Sequence, residues 1–464
     1  MCVPIIVSFI YQDGLWWIFG AVALSLLLIG AIVHFFKPKN TQIFAKEGFV
    51  VVSLSWLLMI ITGALPFFFS QEIPSFIDCV FESASGFTTT GASILTNVET
   101  LSPSIAFWRC QTSWLGGIGV LVLLLALLPK TEDNMQSMHI FRAEAPGPQV
   151  GKLTSKLTST SRILCVIYFV LTVAEIVLLL FGKLNLFESM TCAMSTAGTG
   201  GFYIYNASIG HFNSVYVEMV VATFMLLFGT NFNVFYFIII GQFIQILKSE
   251  ELRWYVGIIA FSVFSISLSL SLDTTQLDFG TSFRYAYFQV ASLFSTTGFS
   301  TTNYDLWPSF AKMLLLFLMV IGASAGSTSG GMKVSRFVIL GKTTIKNLRK
   351  ALNPNAVSSV RFENKPIDDE TVSSVVTFFL LYVLIFVMSI LVLSFDNCDF
   401  MSRVSSSISC LSNIGAGFAQ ISPIGNYSAF SPISKVWLTL VMIAGRLELF
   451  PIIMLFYKRT WQKV

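Results

Sequence analysis

The sequence predicts an all-α polytopic membrane protein assembled from four copies of one helix–short segment–helix unit. Three observations lead there: composition, the recurrence of apolar runs, and a glycine-bearing strip that returns four times. Of 464 residues, 55% are hydrophobic and 11% charged, with 45 Phe and a mean hydropathy of +0.76. Soluble domains carry about 25% charged residues, so a soluble globular fold is excluded. Apolar runs near the roughly 20 residues that cross a bilayer recur at about 15–36, 48–70, 106–128, 163–182, 215–247, 254–272, 308–326, 373–395 and 433–457.

Charge placement orients these runs. Lys37, Lys39 and Lys46 form one basic loop, Lys130, Arg142, Lys152, Lys156 and Arg162 a second, and Lys248 with Arg253 a third. Lys333, Arg336, Lys342, Lys346, Arg349, Lys350, Arg361 and Lys365 follow, and Lys458, Arg459 and Lys463 close the chain. The intervening loops carry few, such as Lys183 and Arg284. The positive-inside rule places the basic loops and the C-terminus in the cytoplasm, so the formal net charge of +4 reflects topology and predicts no nucleic-acid partner. The opening residues MCVPIIVSFIYQDG lack a positive n-region and a small-residue cleavage site, which argues against a signal peptide. The seven cysteines lack CxxC spacing, and His34, His139 and His211 lie far apart, so no metal cage, disulfide framework or catalytic triad is expected.

The outward segments carry the repeat. FTTTG ends at Gly91, TAGTGGF contains Gly201, FSTTGF contains Gly298 and SNIGAGF contains Gly415. Thirteen residues before each lie Asp78, Glu188, Tyr285 and Ser402, each opening a short segment. The glycines are 110, 97 and 117 residues apart, a unit of about one hundred residues. The expected divisions are 1–40 for an extra N-terminal transmembrane region, then repeats at 41–130, 131–247, 248–350 and 351–464. Each repeat reads as a spanning helix, a short helix of about ten residues, a Gly/Thr/Ser strip and a second spanning helix. Ten residues rise only about 15 Å, half the hydrocarbon core, so the short helix must re-enter on its own side.

That geometry predicts a chemistry. Non-helical backbone at membrane depth persists only where protein buries it or where it lines a cavity. Four strips on a common axis can present rings of carbonyls that replace the hydration shell of a cation. Glycine allows the backbone angles such a strip needs, and the short helices aim negative C-terminal ends inward. Thr88, Thr89, Thr90, Thr296 and Thr297 can add hydroxyl oxygens. No nucleophile and base can be assembled, so the chain is not read as an enzyme.

The ordered motifs resemble the Trk/Ktr/HKT superfamily of potassium transporters, in particular its bacterial TrkH-type branch. Beyond the strips the likeness includes QTSWLGGIGV (111–120), FRAEAPGPQVGKLT (141–154), NASIGHF (206–212), IGASAGSTSGGMKVSR (321–336), NPNAV (353–357) and GRLELF (445–450). The resemblance implies a multi-pass protein of the bacterial inner membrane that takes up potassium through one pore and pairs as a homodimer. It implies regulation by a separate TrkA-type nucleotide-binding ring, with K+ as the transported ion and no cofactor in this chain. Filter positions carry over to Thr89, Thr90, Gly91, Thr199, Gly200, Gly201, Thr296, Thr297, Gly298, Asn413, Ile414 and Gly415, with K+ held by their carbonyls. In the family, serine at the first glycine goes with sodium, so Gly91 argues for potassium. The short N-terminus departs from the branch, which has two extra helices before the first repeat.

Two features below the strips stand out. GASAGSTSGG interrupts the third repeat's second spanning helix, and the resemblance makes it a gating loop with Gly322, Gly326, Gly330 and Gly331; a kink for close helix packing is the alternative. Arg446 interrupts the last apolar run, where insertion costs about 2.5 to 3.5 kcal/mol. The resemblance assigns it a barrier to cation flow; an ion pair with a carboxylate on another helix is the alternative. Asp78, Glu82 and Glu188 are expected near the outer mouth or in the short helices, where they could concentrate cations or, for Asp78, cap a helix. Glu175 reads as a buried hydrogen-bonded carboxyl, or as a proton-relay group. GTNFN (229–233) is expected to line the inner half of the pore, and the basic stretch from Lys333 to Lys365 to meet the regulator, lipid headgroups or neither. Proton- or sodium-coupled secondary transport is the alternative function, although the common orientation of the strips favours a pore over inverted repeats.

Overall fold

In the computed structural model, residues 1–36, 45–119, 157–273, 278–355 and 359–462 are described. The motif at 141–154 lies outside them, as do His139, Lys37, Lys39, Lys130, Arg142, Lys152, Lys156, Lys463, Val120 and the last two residues of NPNAV. The N-terminal region is a helical pair, α1 (Cys2–Tyr11) and α2 (Trp16–His34), with α1 also packed on α5 (Pro103–Ile118). Leu24, Leu27, Leu28 and Ile29 on α2 are more than half exposed, which suits a face turned to lipid.

The first unit comprises α3 (Ala45–Phe69), the short α4 (Phe76–Phe87) and α5. The second has α6 (Leu157–Phe181), the short α7 (Leu186–Gly198), and α8 (Val215–Phe228) followed by α9 (Phe232–Ile239) and α10 (Phe243–Lys248). The third has α11 (Glu250–Ser271), the short α12 (Phe279–Phe294), α13 (Ser309–Ile321) and α14 (Val334–Leu352). The fourth has α15 (Asp369–Leu393), the short α16 (Phe400–Leu411), α17 (Pro432–Arg446) and α18 (Phe450–Phe456).

Each short helix starts at a side-chain cap. Ser75, Asn185, Asp278 and Asp399 accept backbone N–H groups in the first turns of α4, α7, α12 and α16. Asn185 and Glu188 complete a reciprocal capping box. The helices are 12, 13, 16 and 12 residues long, a little longer than the sequence suggests but still too short to span. Their C-terminal halves form the centre of the molecule: Phe81–Thr90, Ser195–Gly200, Phe288–Thr297 and Ser405–Gly415 are buried throughout. Serine and threonine are concentrated there alongside Phe81, Phe87, Phe288 and Phe294, while many Leu and Phe side chains elsewhere are exposed, the reverse of a soluble protein's distribution.

Three apolar runs are broken as helices, one of them where GASAGSTSGG is expected to interrupt it. The run at 215–247 bends by 93° between α8 and α9, at Gly229–Asn231. The run at 308–326 ends as a helix at Ile321, and 433–457 divides after Arg446, where Glu448 and Leu449 both have positive φ. Arg446 is therefore the last residue of α17, beside its negative end, rather than a mid-helix residue. The connection between α14 and α15 contains a two-stranded hairpin, β1 (Arg361–Phe362) with β2 (Lys365–Pro366), turning on Glu363 and Asn364, both at positive φ. Lys333 and Arg336, counted with a basic cytoplasmic loop, are buried instead. Arg336 pairs with Glu448 and lies 4.1 Å over the Phe378 ring.

Candidate functional site: a closed ring of four strips

Every short helix ends in the same backbone pattern. Two residues before each key glycine, Thr89, Thr199, Thr296 and Asn413 are left-handed, at φ 57°, 53°, 61° and 56°. Gly91, Gly201, Gly298 and Gly415 have φ of 77°, 64°, 82° and 80°. Six residues before each glycine stands a serine, and the carbonyls of Ser85, Ser195, Ser292 and Ser409 accept the N–H of Thr90, Gly200, Thr297 and Ile414 at 2.8 to 2.9 Å. That serine was missed in the sequence; aligning the four strips on their glycines would have shown it.

The strips also meet one another. A Cβ built on Gly91 would lie 2.2 Å from Gly200 O, one on Gly201 2.1 Å from Thr297 O, one on Gly298 2.1 Å from Ile414 O, and one on Gly415 2.3 Å from Thr90 O. Each glycine faces the carbonyl preceding the equivalent glycine of the next strip, and the fourth returns to the first. The contacts thus close a ring, and any side chain at a key glycine would force a carbonyl out of place. All four glycines line one cavity of about 400 Å³ together with Arg109 and Tyr205. The threonine hydroxyls are largely committed within the protein. Thr88 and Thr90 lie 2.8 Å apart, Asn413 Nδ2 donates to Thr90 Oγ1 (3.0 Å), and Thr296 Oγ1 accepts Gly330 N–H (2.7 Å).

The acidic residues expected at the mouth have other partners. Glu82 is fully buried and pairs with Arg109, which is also buried; Arg109 Nε to Glu82 Oε1 is 2.8 Å. Glu82 Oε2 accepts Ile94 N–H (3.1 Å), while Arg109 Nη1 donates to Tyr203 O (3.2 Å) and the guanidinium lies 4.2 Å over the Phe202 ring. The pair clamps the exit of strip one to the exit of strip two. Asp78 is not a cap; its carboxylate accepts Lys435 Nζ at 2.7 Å, joining the first short helix to α17. Glu188 serves the capping box and accepts the Tyr205 hydroxyl at 2.7 Å. Glu175 is fully buried in α6.

Removing one member of a buried ion pair strands the other charge, at about 3–5 kcal/mol. Arg109→Leu is therefore expected to lower the thermal midpoint in detergent strongly, and Glu82→Leu with Arg109→Leu to lose less than Arg109→Leu alone.

Beneath the ring, residues 322–333 form a loop closed at its neck by Lys333 N–H to Ile321 O (2.8 Å) and Val334 N–H to Ala323 O (2.9 Å). Gly322 and Gly331, both at positive φ, abut there. The loop body is stitched to the α8–α9 break by Ser324 N–H to Gly229 O and Phe232 N–H to Gly326 O, each 3.1 Å. GTNFN thus serves as the loop's seat. Gly330 touches the fourth strip, where a Cβ would lie 2.1 Å from Ser412 O. Arg446 spans the same level: Nη1 donates to Thr89 Oγ1 (3.1 Å) and Thr328 O (2.7 Å), and Nη2 to Gly116 O and Gly117 O (3.1 Å to the latter).

Glu251, near the start of α11, carried no distinguishing signal in the sequence. Its Oε1 accepts Ala325 N–H at 2.7 Å in the loop, and its Oε2 accepts Asn231 Nδ2 at 3.3 Å at the α8–α9 break. Its own backbone N–H donates to Glu363 in the hairpin (3.1 Å), so a line of bonds runs from hairpin to loop.

Comparison with known proteins agrees with this architecture. Residues 17–463 match the family model described as TrkH, cation transport protein. The Trk system potassium uptake protein TrkH of Salmonella typhimurium is 33% identical over all of this chain and 96% of its own length. Its namesake from Halomonas elongata is 31% identical with the same coverage. The crystal structure of the potassium transporter TrkH from Vibrio parahaemolyticus superposes with a TM-score of 0.88 at 29% identity, covering 99% of this chain and 96% of that one. With a family match across nearly its entire length, the chain belongs to the TrkH family of cation transport proteins.

Proposed function

We propose that this chain is a potassium-uptake subunit of a bacterial membrane, conducting K+ through the ring as a selectivity filter. The observation that carries the reading is the closed set of glycine-to-carbonyl contacts, which binds four strips into one unit of fixed diameter. A filter discriminates by the number and field strength of carbonyl dipoles around a dehydrated cation, and such a ring supplies both. The transported ion is inferred from the relatives, which are named as potassium uptake proteins. The repeats are assigned to 41–130, 131–247, 248–350 and 351–464, with carbonyls of 89–91, 199–201, 296–298 and 413–415 as ligands. The test is growth of a potassium-uptake-deficient bacterium at limiting potassium. Growth is expected with the wild-type chain and not with one bearing alanine at Gly201; equal growth with both would overturn the filter assignment.

The loop at 322–333 is assigned as the gate and Arg446 as a positive barrier beside it. Both are bonded to the strips or their helices, so a shift in the loop reaches the permeation path. Glu251→Gln replaces a charge-assisted hydrogen bond to the loop with a neutral one, a loss of about 1 kcal/mol or more. Basal uptake is expected to rise severalfold; unchanged uptake would remove Glu251 from the gate. A TrkA-type nucleotide-binding ring at the cytoplasmic hairpin and α14, a homodimer, a cytoplasmic C-terminus and an inner-membrane location complete the proposal. The four strips open on one cavity from one side, which supports a pore over proton- or sodium-coupled alternating access.

A further inference from the structure

The four key glycines are not chemically equivalent. Tyr427 lies between the fourth strip and α17 and is fully buried, its ring 5.6 Å from those of Phe81 and Phe430. Its backbone N–H donates to Ser93 O at 2.8 Å, anchoring it to the exit of strip one. Its hydroxyl donates to Gly415 O at 3.0 Å and lies 3.3 Å from Ser409 Oγ, with the Cys410 thiol 3.9 Å away. The phenol has one proton, the Gly415 carbonyl can only accept and the Ser409 hydroxyl can donate or accept, so the arrangement that satisfies all three sends the Tyr427 proton to the nearer Gly415 O and lets Ser409 donate to the phenolic oxygen. Among the described residues, no side-chain donor is seen at Gly91 O, Gly201 O or Gly298 O.

We propose that Tyr427 is a specificity-determining residue, whose hydroxyl weakens the field of the Gly415 carbonyl and so biases the site toward large, weakly hydrated cations. The inference rests on the filter reading above. A carbonyl that already accepts a hydrogen bond offers less electron density to a cation. Strong-field sites favour small cations, because their attraction exceeds the larger dehydration cost; weak-field sites favour potassium, rubidium and caesium. The phenol therefore acts on the ranking of ions and not only on the firmness of the ring.

The test is 86Rb+ uptake into proteoliposomes holding the full-length chain, competed by Li+, Na+, K+ and Cs+. Tyr427→Phe keeps the ring and its packing and removes the proton. Lithium and sodium should compete better and caesium worse, moving the Na+/Cs+ competition ratio by about threefold to tenfold, the range of one hydrogen bond. Incorporating 3,5-difluorotyrosine at position 427 makes a stronger donor and should move the ratio the other way. An unchanged series overturns the proposal, and so does a flattened one in which sodium and caesium both gain, since that marks a loosened ring. Gly91→Ser is run alongside. If it changes the series while both Tyr427 variants leave it unchanged, only the tyrosine inference falls; if none of the three changes it, the filter reading falls as well.

Discussion

Gly298→Ala is expected to lower rubidium uptake by about tenfold to a hundredfold while the protein still inserts and folds. At φ 82° an L-residue is strained, by about 1–2 kcal/mol. The new methyl would also sit 2.1 Å from Ile414 O, a separation that real side chains do not adopt. The least costly escape is rotation of the Ile414 peptide, which removes one carbonyl from the ring and shifts the fourth strip. A total of about 1–3 kcal/mol placed on the conducting geometry corresponds to the stated loss. The remainder of α12 keeps its cap at Asp278 and its buried packing, so abundance and thermal midpoint should change far less than flux. Wild-type flux at normal abundance would mean that this carbonyl ring is not on the ion's path.

Arg446→Ala is expected to raise uptake about thirtyfold. A fixed unit charge about 7 Å from a passing cation costs about 2 kcal/mol at an effective dielectric of about 20. Alanine would also release Thr328 O in the loop and Thr89 Oγ1 in the first strip, so the charge must be separated from the bonding. Arg446→Lys does this, because lysine keeps the charge but cannot reproduce the planar fork that reaches Gly116, Gly117, Thr89 and Thr328 together. Uptake by the lysine variant should stay near wild type. Equal rises in both variants would assign the effect to loop release, and no rise in either would remove the barrier.

The four strips were legible in the sequence because each needs glycine at a position where φ is positive and a neighbouring carbonyl leaves no room for a side chain. The gating-loop candidate and Arg446 were legible for a related reason, since ten small residues or one guanidinium inside an apolar run must be explained. The break at Gly229–Asn231 was only half legible, because GTNFN stood out as polar within an apolar run, but polarity does not record where a helix hands its hydrogen bonds to a loop. Glu82 and Arg109 lie 27 positions apart, and only the meeting of α4 with α5 makes them a pair instead of a mouth charge and a membrane arginine. Glu251 looks like an ordinary acidic residue in a helix's first turn; its role depends on Ala325, 74 positions away. Lys333 and Arg336 show the same limit in reverse, because positive charge reports the side of the membrane and not the depth of burial.

The central claim, a potassium-selective pore, is tested most directly by 86Rb+ uptake into proteoliposomes with the membrane potential clamped and no pH gradient. Potassium should compete strongly and sodium weakly, with flux following the potential alone. Equal competition by sodium, or flux that appears only when a proton or sodium gradient is imposed, would contradict it.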